Sequence, residues 1–343
     1  MSSSQALNRV ALTPRSLLSG IVGRLELKAR LVDRVHVGSG ELRLSIKDRG
    51  LVAKLARELL ATKDPHRAAK RALELMSVEQ AFVKLGDRLC IPGSTIKGLV
   101  RSRLELMAGR RGQDVKASAC LSVAGPPLAK PPAPGLPGWR HAKIWGSAVL
   151  VERERESYHE EGLAADLCPI CNLLGAPGVA SRVYFSDLCC VERCSPSICA
   201  FQEYGMRLEV LEPGATLSGA LTLRGVALEE LGLLLIGLGF DGSSFKPLLV
   251  GRAKYMAESF GRVVFEPRSL VVGRELSAEL LRSVGLSPRC EGRYCVVEGV
   301  ELNKLLVEAF KAARGKYPDI EPFSEAEEKE RLAASLNLAR CSA

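Results

Sequence analysis

Aromatic side chains are scarce in this sequence, with Phe, Tyr and Trp making up only 5% of its 343 residues. A broad surface on which nucleobases stack is therefore not the first expectation. Long apolar segments are missing too, since the longest run, residues 231–240, is interrupted by glycine and is too short to span a bilayer. The polar start MSSSQ has no hydrophobic segment of the kind that directs secretion. We therefore expect a cytoplasmic protein without a membrane anchor.

Basic residues outnumber acidic ones in the chain. The 48 Lys and Arg residues against 39 Asp and Glu give a formal charge of +9 at pH 7. Such a surplus favours a polyanionic partner, because each phosphate contact releases condensed counterions. A basic protein without such a partner has the same composition, so the charge permits a nucleic-acid partner without requiring one. The 47% of hydrophobic residues are enough for a sizeable core.

Strand-like and helix-like apolar spacing both occur along the chain. Apolar and polar residues alternate over residues 21–37, which predicts a half-buried strand running into the glycine turn 38–40. Leucines at helical spacing predict helices within residues 51–76. Residues 206–226 have the alternation of two strands, and residues 227–238 have that of a helix. Strands separated by helices, with antiparallel hairpins among them, predict an α+β fold.

The sharpest local feature is the segment IPGSTIKGLVR, residues 91–101. It predicts a helix starting near Thr95, with Ser94 or Thr95 as the N-cap. The free N–H groups and positive dipole at a helix start favour an anion, so these hydroxyls and amides would cradle a phosphate. Lys97 and Arg101 are four residues apart on one face and could both reach a polyanion. An ordinary capped helix with a solvated basic face has the same pattern.

Cysteine is plentiful, and the count of eleven is odd, so the cysteines cannot all pair within one chain. In a cytoplasmic protein they more often bind metal or lie buried than form disulfides. Cys168 and Cys171 form a C-x-x-C turn that fits two corners of a zinc tetrahedron. We expect His159 as the third ligand of a closed structural zinc site. The fourth ligand stays open, with His141, Cys120 and the cysteines of residues 189–199 as candidates.

Three residues are candidates for catalysis. Asp33 and Glu79 could hold Mg²⁺ beside an RNA backbone and position a ribose hydroxyl for in-line attack. Surface carboxylates are far more often only solvated. His36, which precedes the glycine turn, could donate to a phosphate or act as a general base. It could equally pack and hydrogen-bond without any chemical role.

Taken together, these motifs resemble the RAMP superfamily of CRISPR effector proteins. The similar segments, in family order, are VHVGSGE (35–41), IPGSTIKGLVRSRLE (91–105), CPICNLLG (168–175), SRVYFSD (181–187) and, in a degraded form, the glycine-rich residues 237–265. The resemblance covers roughly residues 21–265, and its IPGS segment is quite specific. The remainder of the chain, 266–343, matches nothing in the family.

The resemblance implies a ferredoxin-like, RRM-type RAMP core with helical and zinc-binding insertions. The implied organisation is an N-terminal leader at 1–20, a RAMP domain at 21–265 with insertions at about 51–76 and 110–180, and a C-terminal helical extension at 266–343. It also implies a subunit of a type III CRISPR interference complex, which binds CRISPR RNA and target RNA together with other effector subunits. The long insertion and the extension suggest a divergent or end-capping member.

The resemblance also assigns roles by position. The implied RNA-binding residues are Gly38, Gly93, Ser94, Thr95, Lys97 and Arg101, with Arg182, Arg252 and Lys254 as weaker candidates. Where the family has a catalytic loop aspartate, this chain has Glu79, whose longer side chain changes the geometry that in-line attack with Mg²⁺ requires. Binding is therefore the expectation, and target cleavage is an additional possibility. The alternatives are a metal-independent endoribonuclease that processes precursor CRISPR RNA with His36, and a zinc-containing interaction module unrelated to RNA.

Overall fold

The computed structural model describes residues 5–16, 18–46, 76–111, 115–121, 130–151 and 166–342, with isolated positions between 53 and 70. The strands are β1 (Val10–Ala11), β2 (Ile21–Leu31), β3 (Gly38–Ile46), β4 (Met76–Phe82), β5 (Lys84–Leu85), β6 (Arg88–Ile91), β7 (Asp166–Leu167), β8 (Val183–Phe185), β9 (Leu188–Glu192), β10 (Pro196–Phe201), β11 (Met206–Leu211), β12 (Thr216–Val226), β13 (Leu248–Leu249), β14 (Arg262–Gly273), β15 (Arg289–Glu291) and β16 (Tyr294–Glu298). The helices are α1 (Gly93–Gly109), α2 (Trp139–Trp145), α3 (Pro169–Leu174), α4 (Leu228–Gly237), α5 (Arg274–Ser283), α6 (Gly299–Lys316), α7 (Glu325–Arg331) and α8 (Ala333–Leu336). Most of the segment 51–76, where helices were predicted, lies outside the described residues.

A large antiparallel sheet forms the centre of the fold, in the order β15-β16-β14-β2-β12-β9-β6-β5. The central strand β2 pairs with β14 on one side and with β12 on the other. Its alternating residues Leu25, Leu27, Ala29 and Leu31 are buried, as the period of two predicted. The strand ends at Leu31 and not at residue 37. Beyond it, Val35 makes an isolated antiparallel bridge with Leu211, the last residue of β11.

Two helices lie in the connections between the central strands. Helix α1 follows β2 and precedes β9, while α4 joins β12 to β14. Helix α4 packs against both α1 and α6. Almost every residue of α4 is buried, which explains its continuous apolar sequence: it is enclosed between the sheet and other helices. No helix in the described ranges is long and apolar enough to cross a membrane.

The second sheet has the order β10-β11-β4-β3. Strands β11 and β4 run parallel, whereas its other pairs are antiparallel. A second, smaller core packs on this sheet, and its largest members are Phe201, Leu208, Val210 and Phe260. The two strands predicted within 206–226 are β11 and β12, and the structure assigns them to different sheets.

The C-terminal residues are part of the main sheet. Strand β14 (Arg262–Gly273) runs through the boundary expected at residue 265, and β15 and β16 extend the same sheet beyond it. The helices of the expected C-terminal extension are present as α5, α6, α7 and α8. The segment 266–343 is therefore not only a helical extension, because its strands pair with those of the preceding residues.

Eight of the eleven cysteines form disulfides, which differs from the expectation for a cytoplasmic chain. The pairs are Cys90–Cys189, Cys190–Cys194, Cys199–Cys341 and Cys290–Cys295. Cys90 and Cys189 are opposite each other on the antiparallel strands β6 and β9, and Cys290 and Cys295 are opposite on β15 and β16. Pairing of this kind follows from strand register, which the sequence alone did not reveal.

Candidate nucleic-acid interface and cysteine cluster

The start of helix α1 is capped by an aspartate from elsewhere in the chain. The helix begins at Gly93, its N-cap residue is Pro92, and no side chain of the cap accepts a hydrogen bond. The prediction of Ser94 or Thr95 as N-cap is therefore wrong. Instead, the Gly93 amide donates to Oδ1 of Asp187 over 2.8 Å. A carboxylate at this end of a helix satisfies a free N–H group and complements the positive dipole.

Gly93 is where the main sheet meets the helix. A Cβ atom at this position would lie 2.0 Å from the carbonyl oxygen of Phe185, at the end of β8. Gly93 is buried. Close packing against β8 therefore explains why this position is glycine, without any contact to a ligand. Asp187 belongs to the SRVYFSD segment, whose sequence gave no indication that it would cap α1.

The first turn of α1 is nevertheless open beyond Gly93. Ser94 is exposed, while Thr95 and Lys97 are half-buried. Burial, followed by the charge of Arg101, lowers the pKa of Lys97. The Lys97 ammonium makes no hydrogen bond or ion pair with the residues that the structure describes. It therefore remains a cation that an external anion can reach.

Arg101 is directed away from such an anion. Its guanidinium donates to the Gly175 carbonyl and to Sγ of Cys171, at 3.7 Å, and it lies 3.6 Å from the Glu105 carboxylate. The prediction that Lys97 and Arg101 reach one polyanion therefore fails for Arg101. The helical spacing of four was right, but the cysteine turn packed against that face engages the arginine.

Two glycine turns that are distant in sequence meet at one place. The amide of Arg252 donates to the His36 carbonyl over 2.9 Å. A Cβ on Gly251 would lie 2.0 Å from the same carbonyl oxygen, so the two backbones touch because position 251 is glycine. Gly38 and the Arg252 residue are both exposed beside this contact.

Backbone hydrogen bonds connect these turns to the start of α1. The amide of Val83 donates to the Val37 carbonyl over 2.9 Å, and the amide of Cys90 donates to the Val83 carbonyl over 3.1 Å. Strand β6, which contains Cys90, ends at Ile91 just before α1. The structure thus places the turn at Gly38, the loop at Gly251 and the helix start on one hydrogen-bonded framework.

The weaker RNA-binding candidates have different surroundings. Arg252 is exposed and its side chain makes no hydrogen bond or ion pair with the described residues. Lys254 is half-buried, with its ammonium 5.2 Å from the Tyr255 ring centroid. Arg182 is only 3% exposed and forms a buried ion pair with Glu230. Its guanidinium also donates to the Gly225 carbonyl over 2.7 Å. Arg182 is therefore a core residue and cannot contact RNA from this position.

The three catalytic candidates are each engaged by a different partner. Both oxygens of Asp33, which is 4% exposed, accept hydrogen bonds from Arg262 at 2.6 and 2.9 Å. Glu79 lies within strand β4 and not in a loop, and its Oε1 accepts from Ser45 and from two nitrogens of Arg207. These contacts are those of structural ion pairs.

His36 is fully buried and lies below the exposed glycine turn. Its Nδ1 is 2.6 Å from the Glu209 carbonyl oxygen, and its ring meets Phe82 edge-on. Burial lowers the pKa of His36, so the ring is neutral at pH 7. A general base must reach the proton that it removes, and His36 has no such access in this structure.

Cys120, Cys168 and Cys171 form a buried cluster between α1 and α3. Their Sγ atoms all lie within 4.8 Å of one another, and those of Cys120 and Cys171 are 3.4 Å apart. Hydrogen bonds from Cys120 and Cys168, and then the charge of Arg101, lower the pKa of the Cys171 thiol. The structure brings Cys120 to the C-x-x-C turn, whereas the predicted ligand His159 lies outside the described residues.

Comparisons with known proteins give a family for the chain. A solved structure similar to this one is the crystal structure of Csc2 from Thermofilum pendens, with 15% sequence identity and a TM-score of 0.38 over 94% of this chain and 92% of that one. No curated protein matches the sequence significantly. The profile of the RAMP superfamily matches residues 28–220, which is more than half of the chain. The chain therefore belongs to the RAMP superfamily.

Proposed function

We propose that this chain is a CRISPR RNA-binding subunit of a type III interference complex, acting on target RNA together with other effector subunits. Membership of the RAMP superfamily supports this proposal. The observation that carries it is the meeting of the two glycine turns, where the Arg252 amide contacts the His36 carbonyl at 2.9 Å. Exposed backbone and an exposed arginine at one place suit a sugar–phosphate chain, which needs close approach and positive charge.

The accessible cations of this region have no acidic partners in the described part of the chain. Lys97 at the start of α1 and Arg252 beside Gly251 each make no ion pair there. Many other basic side chains are neutralised, as Arg262 is by Asp33 and Arg182 is by Glu230. Positive charge without a partner is available to phosphate, whereas a paired guanidinium would first have to break its existing contacts. Lys97 and Arg252 are therefore the proposed phosphate contacts, with Ser94 and Thr95 beside Lys97.

A ferredoxin-like core is part of the proposal. The strand order β14-β2-β12-β9 is antiparallel throughout, with α1 in the connection from β2 to β9 and α4 in that from β12 to β14. This β-α-β-β-α-β succession supports the ferredoxin-like assignment.

RNA binding without cleavage is the activity that the site supports best. Mg²⁺ at Glu79 would compete with Arg207 for the same carboxylate oxygen, at N–O distances of 3.1 and 3.2 Å. Asp33 is similarly held by Arg262. Hard divalent cations need several oxygen ligands, and neither Asp33 nor Glu79 belongs to a group of three potential metal ligands among the described residues.

We propose that Cys120, Cys168 and Cys171 hold a structural Zn²⁺. A tetrahedral site with Zn–S distances of about 2.3 Å has sulfur atoms about 3.8 Å apart, and the three Sγ atoms lie within 4.8 Å of one another. Three thiolates around Zn²⁺ carry one net negative charge, and Arg101, 3.7 Å from Cys171 Sγ, would balance it. His159, predicted as the third ligand beside Cys168 and Cys171, stays a prediction for the remaining position.

RNA binding is tested by fluorescence anisotropy with a fluorescein-labelled single-stranded RNA over a range of salt concentrations. Lys97→Met and Arg252→Met are expected to weaken binding and each to reduce the slope of log K against log salt by about 0.7 to 0.9. Lys311→Met is the matched control, because Lys311 is an exposed lysine on α6 that already pairs with Glu308. Equal losses in all three variants, or binding that does not depend on salt, would contradict the proposed interface.

The identity of the RNA and the presence of zinc need separate measurements. RNA that copurifies with the tagged full chain from its native cells should carry CRISPR repeat and spacer sequences, and unselected cellular RNA would contradict the proposal. Elemental analysis of the purified chain should find about one zinc per chain. Cys120→Ser should lose that zinc, whereas Cys290→Ser, which alters a cysteine outside the cluster, should keep it.

A further inference from the structure

A cavity of about 450 Å³ lies apart from the start of helix α1. One wall comes from residues 135–141, within the insertion expected at about 110–180, and the other comes from Gly251 and residues 253–256. Tyr204 closes a third side. Cavities of about 300–1,000 Å³ are typical of sites for small molecules, so this one is large enough for a ligand.

The cavity concentrates the aromatic side chains of a chain that has few. The protein has only two Trp and six Tyr, yet Trp139, Tyr204 and Tyr255 all line this cavity, together with His141. Tyr204 is 42% exposed, whereas Trp139 is 8% exposed. Tyr204 therefore offers an open ring face, and Trp139 forms part of the buried wall. Exposed aromatic faces of this kind stack on planar rings such as nucleobases.

The same cavity is positively charged. Arg140 and Lys254 line it, and none of the described residues that line it is acidic. Arg140 is fixed in place by neutral acceptors, since it donates to the carbonyls of Leu336 and Asn337 at 2.8 Å and to the Tyr204 hydroxyl at 3.1 Å. Its charge is thus positioned but not balanced by a carboxylate. A fixed guanidinium in this state favours a phosphate.

Two further groups in the wall fit a polar ligand. Burial lowers the pKa of Lys254 to about 8 and that of His141 to about 4. At neutral pH the lysine is therefore mostly charged and the histidine is neutral.

We propose that this cavity binds a nucleotide, with its base stacked on Tyr204 and its phosphate held by Arg140 and Lys254. The nucleotide is either free or one residue of a bound RNA, because both present the same ring and phosphate. The second case rests on the proposed function, while the first does not. The cavity adjoins the junction of the two glycine turns, because Gly251 lines it, but none of its lining residues belongs to helix α1.

Free nucleotides are tested on the full chain by calorimetric titration with AMP, GMP, CMP and UMP, with inorganic phosphate as a probe without a base. We expect saturable binding of at least one nucleotide and weaker binding of phosphate. Tyr204→Ala should weaken binding about tenfold, as loss of one stacked base does, while Tyr204→Phe should retain most of it. Tyr294→Ala is the matched control, because Tyr294 is an exposed tyrosine on β16 and should bind as the wild type does.

The charged side of the cavity gives a pH test. Lys254→Met, which keeps the length of the side chain, should weaken nucleotide binding at pH 7. For the wild type, affinity should fall as the pH rises above about 8, because the lysine then loses its proton. The Lys254→Met variant should lack that fall. The same pH profile in variant and wild type would overturn the role given to Lys254.

RNA binding by the Tyr204 variants shows whether the cavity takes a free nucleotide or one residue of a bound RNA. If Tyr204→Ala weakens both nucleotide and RNA binding, the cavity accepts an RNA residue; if it weakens only nucleotide binding, the ligand is a free nucleotide. Nucleotide binding in a chain that binds no RNA would leave this inference standing and remove the proposed function. A chain that binds RNA unchanged in Tyr204→Ala, and binds none of the four nucleotides, would overturn the inference alone.

Discussion

Gly93 and Gly98 lie five positions apart in the same helix but meet opposite surroundings. A Cβ at Gly93 would lie 2.0 Å from the Phe185 carbonyl oxygen, whereas one at Gly98 would meet nothing within 4 Å. We expect Gly93→Ala to lower the free energy of unfolding by about 1–3 kcal/mol, because the backbone of β8 must move. Gly98→Ala should raise it by about 0.5–1 kcal/mol through helix propensity. Denaturant unfolding of both variants measures this, and equal effects would contradict the packing described at the start of α1.

Arg182 was predicted to bind RNA from its sequence motif, but its role in the structure is different. Its place in the SRVYFSD segment suggested RNA, but it is 3% exposed and pairs with Glu230 in the core. Arg182→Met should lower the free energy of unfolding by about 3–5 kcal/mol, because a buried carboxylate is left without compensation. Arg224→Met, at an exposed arginine whose amide bonds to the Arg182 carbonyl, should change it by less than about 0.5 kcal/mol.

A double variant makes this test independent of simple misfolding. Arg182→Met with Glu230→Met removes both charges and should regain much of the stability that Arg182→Met loses, because an apolar pair can replace a buried ion pair. Thermal unfolding compares the three variants. If Arg182→Met instead unfolded like the wild type and bound RNA weakly, Arg182 would be a surface ligand and the buried pair would be refuted.

At the level of single residues, the sequence predicted which cationic side chains lie near the start of α1. It did not predict which of them already bind other residues of the chain. Lys97 and Arg101 were rightly placed on one helical face, yet only Lys97 is open, because Arg101 meets Cys171 and Gly175. The cap of α1 was missed because its donor and acceptor, Gly93 and Asp187, are far apart in sequence. Such contacts depend on tertiary packing, which local spacing does not encode.

At the level of elements, the disulfide between Cys90 and Cys189 fastens β6, the strand that leads into α1, to β9. It closes a loop of 99 residues, whereas Cys190–Cys194 closes one of 4. A loop of about 100 residues is worth about 4.7 kcal/mol in chain entropy, and a loop of four is worth about 2 kcal/mol by the same relation. Cys90→Ala with Cys189→Ala should therefore destabilise the chain more than Cys190→Ala with Cys194→Ala. Guanidinium unfolding without reductant compares them, and the reverse order would contradict a cross-link at β6.

Strands with a clean alternation were the most predictable elements, as β2, β11 and β12 show. Alternation of apolar and polar residues indicates that one face of a strand is buried, and the residues of β2 alternate between more and less buried positions in the sheet. Which strands lie side by side was not predictable, because β11 pairs with β4 and β12 pairs with β2. The disulfides and the junction of the Gly38 and Gly251 turns depend on these pairings. The candidate site was therefore predictable as separate pieces but not as an arrangement.

At the level of the whole molecule, the residues that resemble no family motif complete the central sheet. Strand β14 pairs with β2 from Val263 opposite Leu31 to Val272 opposite Gly23. A chain that stops at residue 265 keeps only the first part of that pairing and loses β15, β16 and α6. It would also expose α4, where Gly232 packs so closely on α6 that a Cβ would lie 2.0 Å from the Ala309 carbonyl oxygen.

Truncation after residue 265 should therefore abolish cooperative folding. The apolar surface of β2 and α4, now open to water, loses the burial that stabilises the fold and favours association through exposed strand edges. We expect the fragment 1–265 to aggregate or to lack near-ultraviolet circular dichroism, while the full chain elutes as a defined species. Supplying 266–343 as a second polypeptide during expression should recover soluble complex, because the missing strands can pair from another chain. A monomeric fragment 1–265 with a cooperative unfolding transition would show instead that the RAMP domain ends near residue 265 and that the remaining strands are an addition to a complete core.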